Sequence, residues 1–210
     1  MLQRREVLQK CLALGSIVIA SEFSTDSMLC AFAEGEKPLS KSTPPNPIGP
    51  FYKRLTPVNN TLRAPGDPGL PLTLFGQVVD TRGEIVPDAT IEIWQTNHHG
   101  LYDIDGYRYR GKETVDSTGA YRFESVIPGH YPDKSRVCQH VHYVVLAPGH
   151  KSLVTQLYFA TDPAFEGNPQ KNYARDPILQ TPDLIRPVML TGEPNEVHAK
   201  VRFELCLECL

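Results

Sequence analysis

From residue 72 onward the chain is a succession of short β-branched, apolar runs separated by glycine and proline turns, and this punctuation leaves it little choice but stacked β-sheet. Residues 72–79 (Leu-Thr-Leu-Phe-Gly-Gln-Val-Val) and 89–94 (Ala-Thr-Ile-Glu-Ile-Trp) are two such runs, joined through Asp80-Thr81-Arg82-Gly83 by a hairpin or a short β connection. Further strands are expected at residues 120–126, 140–146 and 153–159, between turns at 116–119, at Pro128-Gly129 and at Pro148-Gly149. Residues 162–182 read as loop, and closing strands are expected around 185–190 and 197–207. In the last of these Val197, Ala199, Val201, Phe203 and Leu205 alternate with His198, Lys200, Arg202 and Glu204, the period of a half-buried strand. No internal repeat is visible, and no long helix is expected beyond the first 33 residues. Such spacing indicates a sandwich or barrel, and the fold expected is all-β: a two-sheet β-sandwich over residues 70–210 with long loops.

The first 69 residues differ in kind. Arg4-Arg5, the apolar stretch over residues 11–20 and the small-x-small site Ala31-Phe32-Ala33 have the look of a twin-arginine export signal over residues 1–33. The apolar stretch is too short for a permanent membrane span, so no stable membrane anchor is expected. Its other reading is an amphipathic helix of the mature fold, which would leave the protein cytoplasmic rather than periplasmic or exported. Residues 34–69 then form an extended arm, rich in proline (Pro44, Pro45, Pro47, Pro50), in which Gly49-Pro50-Phe51-Tyr52 is an aromatic unit that needs a surface to lie on. A formal net charge of -3 with no Lys/Arg block argues against a nucleic-acid partner and for a small molecule.

Gln139-His140-Val141-His142-Tyr143 carries the chemistry. Alternate residues of a strand point to one face, so His140 and His142 aim two imidazoles at one spot, which suits a transition metal. Tyr102 and Tyr131 each follow a strand-like run and can supply a phenolate. A free tyrosine has a pKa of about 10, so only a strongly acidic cation displaces its proton at neutral pH. Two phenolates with two imidazoles therefore favour mononuclear, non-haem Fe(III) over Fe(II).

In sequence order, Gly49-Pro-Phe-Tyr52, Gly76-Gln-Val-Val-Asp80, Ile91-Glu-Ile-Trp-Gln-Thr-Asn97, Gly100-Leu-Tyr102, Pro128-Gly-His-Tyr131, His140-Val-His142, Thr155-Gln-Leu-Tyr-Phe159 and Asp162-Pro163 resemble the intradiol ring-cleavage dioxygenases, the family of catechol 1,2-, hydroxyquinol 1,2- and protocatechuate 3,4-dioxygenases. The resemblance implies a non-haem ferric centre held by Tyr102, Tyr131, His140 and His142, with Tyr131 the axial tyrosine that leaves the metal when a catechol chelates. It implies a catechol-type substrate and O2, cleavage between the hydroxylated carbons to a cis,cis-muconate-type diacid, Gln156 beside the metal, and Pro50 and Tyr52 lining the substrate pocket. The family places an arginine three residues before the first histidine; here that position is Val137, and Arg136 stands one earlier. Arg136 is expected to fill the role, with Arg108 and Arg110 as alternative cations from a loop where solvated charge is the ordinary reading. Without the family's helical dimerisation segment, the chain looks like the bare protocatechuate-type core and is expected to form a homo-oligomer.

Two other functions compete. An exported transthyretin-like β-sandwich binding module shares the strand pattern and has no use for four converging donors. A cupin-like or extradiol Fe(II) oxygenase uses two histidines and a carboxylate, yet nothing acidic follows His142 until Asp162. His98 and His99 are adjacent and would point apart if extended; they read as loop residues. His130, His150 and His198, the last on an exposed strand face, have no partner pattern, and Trp94 is expected in the core. Cys138 reads as a small buried residue, and Cys206-x-x-Cys209 as an exposed or locally paired thiol couple.

Overall fold

The structure is a computed structural model that describes residues 41–133, 136–193 and 196–210. The export signal expected over residues 1–33 and the first part of the arm lie outside the described residues. Ten strands form two five-stranded sheets: β1 (Pro71–Asp80), β2 (Thr90–Trp94), β3 (Arg110–Thr114), β4 (Ala120–Val126), β5 (His140–Leu146), β6 (Leu153–Phe159), β7 (Ile185–Arg186), β8 (Met189–Thr191), β9 (His198–Arg202) and β10 (Leu205–Leu207). One sheet runs β3-β2-β5-β6-β7, and the other runs β10-β1-β9-β8 with β4 paired to β1. This is an all-β sandwich.

The strands expected at 120–126, 140–146 and 153–159 form with those bounds. The run over residues 72–79 and that over 89–94 do not pair as a hairpin; they lie in different sheets. The turn at 80–83 folds Ile85 and Val86 back antiparallel onto the end of β1 (Val86 N donates to Val78 O at 3.0 Å), and the chain crosses to the other sheet after Val86. The expected strand at 185–190 is two: β7 runs parallel to β6, β8 runs antiparallel to β9, and the chain changes sheets at Pro187, which has no N–H to donate. The long closing strand is interrupted at Phe203-Glu204 without loss of register, since Phe75↔Arg202 and Val78↔Leu205 keep the same offset along β1. At the break the Phe203 carbonyl accepts from Tyr121 Oη at 2.6 Å, and the Glu204 carboxylate accepts from Gln77 N at 3.0 Å. Residues 163–175, expected as loop, carry three short helical turns.

Alternation sorts the central sheet into two faces. Ile91 and Ile93 of β2, Val141, Tyr143 and Val145 of β5, and Leu153 and Leu157 of β6 turn inward onto Leu72, Leu74, Phe123 and Val201 of the other sheet. Each such side chain, fully buried, contributes about 1.5–3 kcal/mol. The alternate residues Trp94, His140, His142 and Gln156 turn to the outer face, where they are nevertheless buried. The arm covers this face: Asn46 N donates to Val154 O (2.9 Å), Thr155 Oγ1 to Pro44 O (2.7 Å) and Gln156 Nε2 to Pro47 O (2.8 Å).

Candidate metal centre

Strand register assembles the floor of the site. Arg110 of β3 lies opposite Trp94 of β2, Trp94 opposite His142 of β5, and His142 opposite Gln156 of β6, so four strands contribute one lateral row. The Trp94 indole stacks flat on the His142 ring, 4.7 Å between centroids at 2°. Gln156 Nε2 lies 3.2 Å from His142 Nδ1, and Gln156 Oε1 accepts from Asn46 Nδ2 (2.8 Å) and Tyr158 Oη. The His142 ring is thus fixed on both flanks.

Immediately before β5, two buried carboxylates anchor the backbone. Asp176 accepts from Cys138 N at 2.6 Å, and Asp162 accepts from Gln139 N at 2.7 Å. His140 Nδ1 then donates to the Cys138 carbonyl at 2.7 Å, which leaves the lone pair on Nε2, the tautomer that ligates. Cys138 itself is buried, as expected.

The tyrosines arrive on two loops locked together. Asn97 Oδ1 accepts from His99 N (2.9 Å) and Leu101 N (3.1 Å), an Asx turn that presents Tyr102, while Asn97 O accepts from Gly129 N (2.8 Å) in the loop carrying Tyr131. The loops meet backbone to backbone through Gly100: at its φ of +81° a Cβ would lie 1.7 Å from the His130 carbonyl oxygen. Phe51 of the arm stacks on Tyr102 at 4.3 Å, and Tyr52 packs on Trp94 at 5.1 Å.

Tyr102, Tyr131, His140 and His142 consequently converge. Their donor atoms close a ring: Tyr102 Oη to Tyr131 Oη 3.2 Å, Tyr131 Oη to His140 Nε2 3.4 Å, His140 Nε2 to His142 Nε2 3.1 Å and His142 Nε2 to Tyr102 Oη 3.0 Å. Donors that each sit about 2.0–2.1 Å from one ion, at angles of roughly 90–110°, stand about 2.9–3.5 Å apart. All four edges fit a single ion. Burial, with Tyr131 nearby, pushes the Tyr102 phenol far above its ordinary value; burial raises Tyr131 less and lowers both histidines. Two neutral imidazoles and two phenols therefore fit a cation acidic enough to displace phenolic protons, as ferric iron would be. Among the described residues no carboxylate joins His140 and His142 in a three-ligand group, and Asp162 is occupied by Gln139 N, Ala164 N and His130, so the two-histidine, one-carboxylate reading has no site.

Residues 48–209 match the family described as Dioxygenase. The chain belongs to the intradiol dioxygenase family. It is 34% identical over 155 residues to a catechol 1,2-dioxygenase of Pseudomonas sp. (strain EST1001), covering 62% of this chain and 51% of that protein. It is 32% identical over 190 residues to a hydroxyquinol 1,2-dioxygenase of Rhodococcus opacus, covering 76% and 62%. The chain thus spans about half to three fifths of the length of these curated relatives. The dioxygenase domain of a dioxygenase carbohydrate-binding protein fusion from Streptomyces sp. SirexAA-E superposes with a TM-score of 0.68 at 27% identity, covering 81% of this chain and 100% of that one. The catechol 1,2 dioxygenase of Acinetobacter radioresistens, at 21% identity and a TM-score of 0.69 over 81% of this chain and 63% of that one, shares the fold.

The cations separate. Arg136 is exposed, and Arg108, 63% exposed, pairs with Asp67 at 2.6 Å. Arg110 is only 3% exposed, its guanidinium 6.0 Å from the centre of the Tyr102 ring and its Nε buried without a hydrogen-bond partner. Reading residues 107–111 as a solvated loop missed β3, because Arg-Gly-Lys-Glu-Thr carries none of the apolar alternation that marks a strand. Trp94 is buried, yet it supports His142 rather than the inter-sheet core. His98 and His99 lie in a turn, as expected of loop residues, with ring centroids 3.6 Å apart. His130 has a partner, Asp162 Oδ2 at 2.9 Å, and His198 is part-buried against Thr73 Oγ1 at 2.7 Å. Cys206 is buried at 1% exposure, so the thiol couple is not exposed as a pair.

Proposed function

We propose that the protein is a non-haem Fe(III) intradiol dioxygenase, opening the ring of a catechol-type substrate with both atoms of O2 to give a cis,cis-muconate-type diacid. The observation that carries this reading is the closed ring of two phenol and two imidazole donors at one face of a buried row, in a chain of this family. Ferric iron bound by Tyr102, Tyr131, His140 and His142 would withdraw electron density from a catechol dianion and make a ring carbon reactive toward O2.

The protein's own groups do the rest. Tyr131, which would be a phenolate only when bound to the metal, would in that form take up a proton from an incoming catechol hydroxyl as its side chain turns aside. Phe51, stacked on Tyr102, and Tyr52, packed on Trp94, would roof the site and limit water at the reacting face, whereas Pro50 beside them is exposed. Gln156 holds His142 and the arm together through Pro47 and Asn46. Arg110 is the buried positive charge beside the phenols and is better placed than exposed Arg136 to stabilise negative charge developing on the ring. Export by the twin-arginine route and a homo-oligomeric state belong to the same reading, the first supported by Arg4-Arg5 and tested by N-terminal sequencing of secreted protein.

Iron loading should give an intense phenolate-to-ferric colour that shifts on adding catechol, and product analysis over a panel of catechols should identify the substrate. Tyr131→Phe should lose most activity and shift the colour, and His142→Ala should lose iron. A colourless loaded protein, or a coloured and active His142→Ala variant, would sink the assignment.

A further inference from the structure

A second group of metal-binding side chains lies at the opposite end of β5 from the tyrosines and histidines. Beyond Leu146 the chain turns at Pro148-Gly149, and residues 149–151 run antiparallel to 208–210. Lys151 N donates to Glu208 O at 2.8 Å, Leu210 N donates to Gly149 O at 3.0 Å, and His150 faces Cys209 across the bridge. Asp80, the last residue of β1, comes in from the other sheet, and Thr81 N donates to Leu207 O at 3.1 Å. One donor atom from each of Asp80, His150 and Cys209 lies within 4.8 Å of the other two.

Each donor is already oriented. His150 Nδ1 donates to the Pro148 carbonyl at 2.8 Å, so the lone pair sits on Nε2, which is buried and has no hydrogen-bond partner. A backbone carbonyl on the far nitrogen is the support a ligating imidazole ordinarily has. Asp80 Oδ1 accepts from Arg82 N at 2.8 Å and Glu84 N at 3.0 Å, which leaves Oδ2 facing Cys209 Sγ at 3.6 Å. Burial acts to raise the Asp80 pKa, but Arg82 and these N–H groups hold it at about 2, so the carboxylate is ionised. Of the Cys-x-x-Cys segment, Cys206 is buried in the core, and Cys209 faces Asp80 and His150.

We propose that Asp80 Oδ2, His150 Nε2 and Cys209 Sγ bind one zinc-class divalent ion, with water as the fourth ligand. Thiolate, imidazole and carboxylate suit Zn2+ at about 2.3, 2.0–2.1 and 2.0–2.2 Å, which needs donors roughly 3.3–3.7 Å apart, so no donor pair has to close by more than about 1.5 Å. Binding releases the Cys209 thiol proton to solvent and displaces the Arg82 guanidinium from Asp80 Oδ2. That side chain is 70% exposed and can swing into water. The ion would tie the end of β1 to the β5–β6 connection and to residues 208–210, joining both sheets.

The test uses the full chain with iron already loaded, and Co2+ as a spectroscopic stand-in for zinc. One equivalent of cobalt should give a thiolate-to-metal absorption band that zinc abolishes. The band should vanish in iron-loaded Cys209→Ser and His150→Gln and survive in the His140→Ala/His142→Ala double variant, which is assayed without iron. Independently of any variant, zinc should suppress alkylation of Cys209 by iodoacetamide in the native protein, read by mass spectrometry. The proposal is overturned by cobalt binding that is the same in Cys209→Ser, by a band lost only in the double variant, or by Cys209 alkylation indifferent to zinc.

Discussion

Replacing Gly100 by alanine tests the contact on which the tyrosine pair depends. Two costs are separable, because Gly66 has nearly the same backbone conformation (φ +79° against +81°) but nothing within 4 Å of a built Cβ. Gly66→Ala therefore carries only the left-handed penalty of a β-carbon, about 1–2 kcal/mol. At Gly100 the new methyl would also sit 1.7 Å from His130 O, 2.5 Å from His130 C and 3.1 Å from Tyr131 N, all backbone atoms that no rotamer change can move. The His130–Tyr131 backbone must retreat by more than an ångström, and overpacking adds about 1–3 kcal/mol, for a total of roughly 2–5 kcal/mol. At about 2–4 °C per kcal/mol for a chain of this size, Tm should fall by about 2–8 °C in Gly66→Ala and about 4–20 °C in Gly100→Ala. The same retreat pulls Tyr131 from its 3.2 Å contact with Tyr102, so ferric binding should weaken in Gly100→Ala and stay unchanged in Gly66→Ala. Differential scanning calorimetry and iron titration of the two variants provide the assay. Equal Tm shifts with unaltered iron affinity would refute the claim that Gly100 sets the spacing of the tyrosines.

Arg110→Met should raise Tm, because it removes a buried cation that has no ion pair among the described residues, and should lower turnover; a variant that is both less stable and fully active would contradict its proposed role. Asp162→Asn presents an amide where Gln139 N, Ala164 N and His130 need an acceptor, so urea unfolding should show a loss of about 1–3 kcal/mol, and an unchanged midpoint would count against this anchoring. Asp67 is raised by burial, but Ala64 N, Tyr109 Oη and Arg108 together hold its pKa below the ordinary 3.8. Its contribution is complete above about pH 4 and disappears as pH falls through the lowered value. Asp67→Asn should therefore be less stable than the parent at pH 7 and converge with it in acid; a difference that persists undiminished would rule out the linkage.

Where an element declares itself by local alternation, the sequence and the structure agree. β4, β5 and β6 were legible to the residue because Tyr121-Phe123, Val141-Tyr143-Val145 and Leu153-Leu157 keep the period of 2 between glycine and proline turns. β3 was not legible, since its five residues owe their extended form to pairing with β2 rather than to their own side chains. The splitting of residues 185–190 and the break at Phe203-Glu204 also arise from distant partners: Pro187 has to pass between sheets, and the Phe203 carbonyl is claimed by Tyr121. The turn at 80–83 does reverse the chain, but only as far as Val86; that β2 then joins the other sheet was not legible, because a turn sequence fixes the local reversal and not which strand the next one joins.

The same limit explains the arginine. The convergence of the histidines was readable because two side chains on one strand need only a period of 2 to share a face, and the tyrosines were candidates because each follows a strand-like run. A cation counted back along the chain from His140 leads to Arg136, which the structure leaves exposed. Counted across the sheet, the row His142, Trp94, Arg110 leads instead to a side chain 30 residues upstream of His140, and that row exists only through the registers Trp94↔His142 and Trp94↔Arg110. The positional consequence is physical: a guanidinium on a paired strand, pinned beneath Tyr102 and beside a Trp94 that also carries His142, has less freedom than one on the turn before β5. Preorganised charge is worth more to a reaction than charge that must reorient, so the proposed role in stabilising ring charge favours a buried strand arginine over an exposed loop arginine, even where the loop lies nearer in sequence.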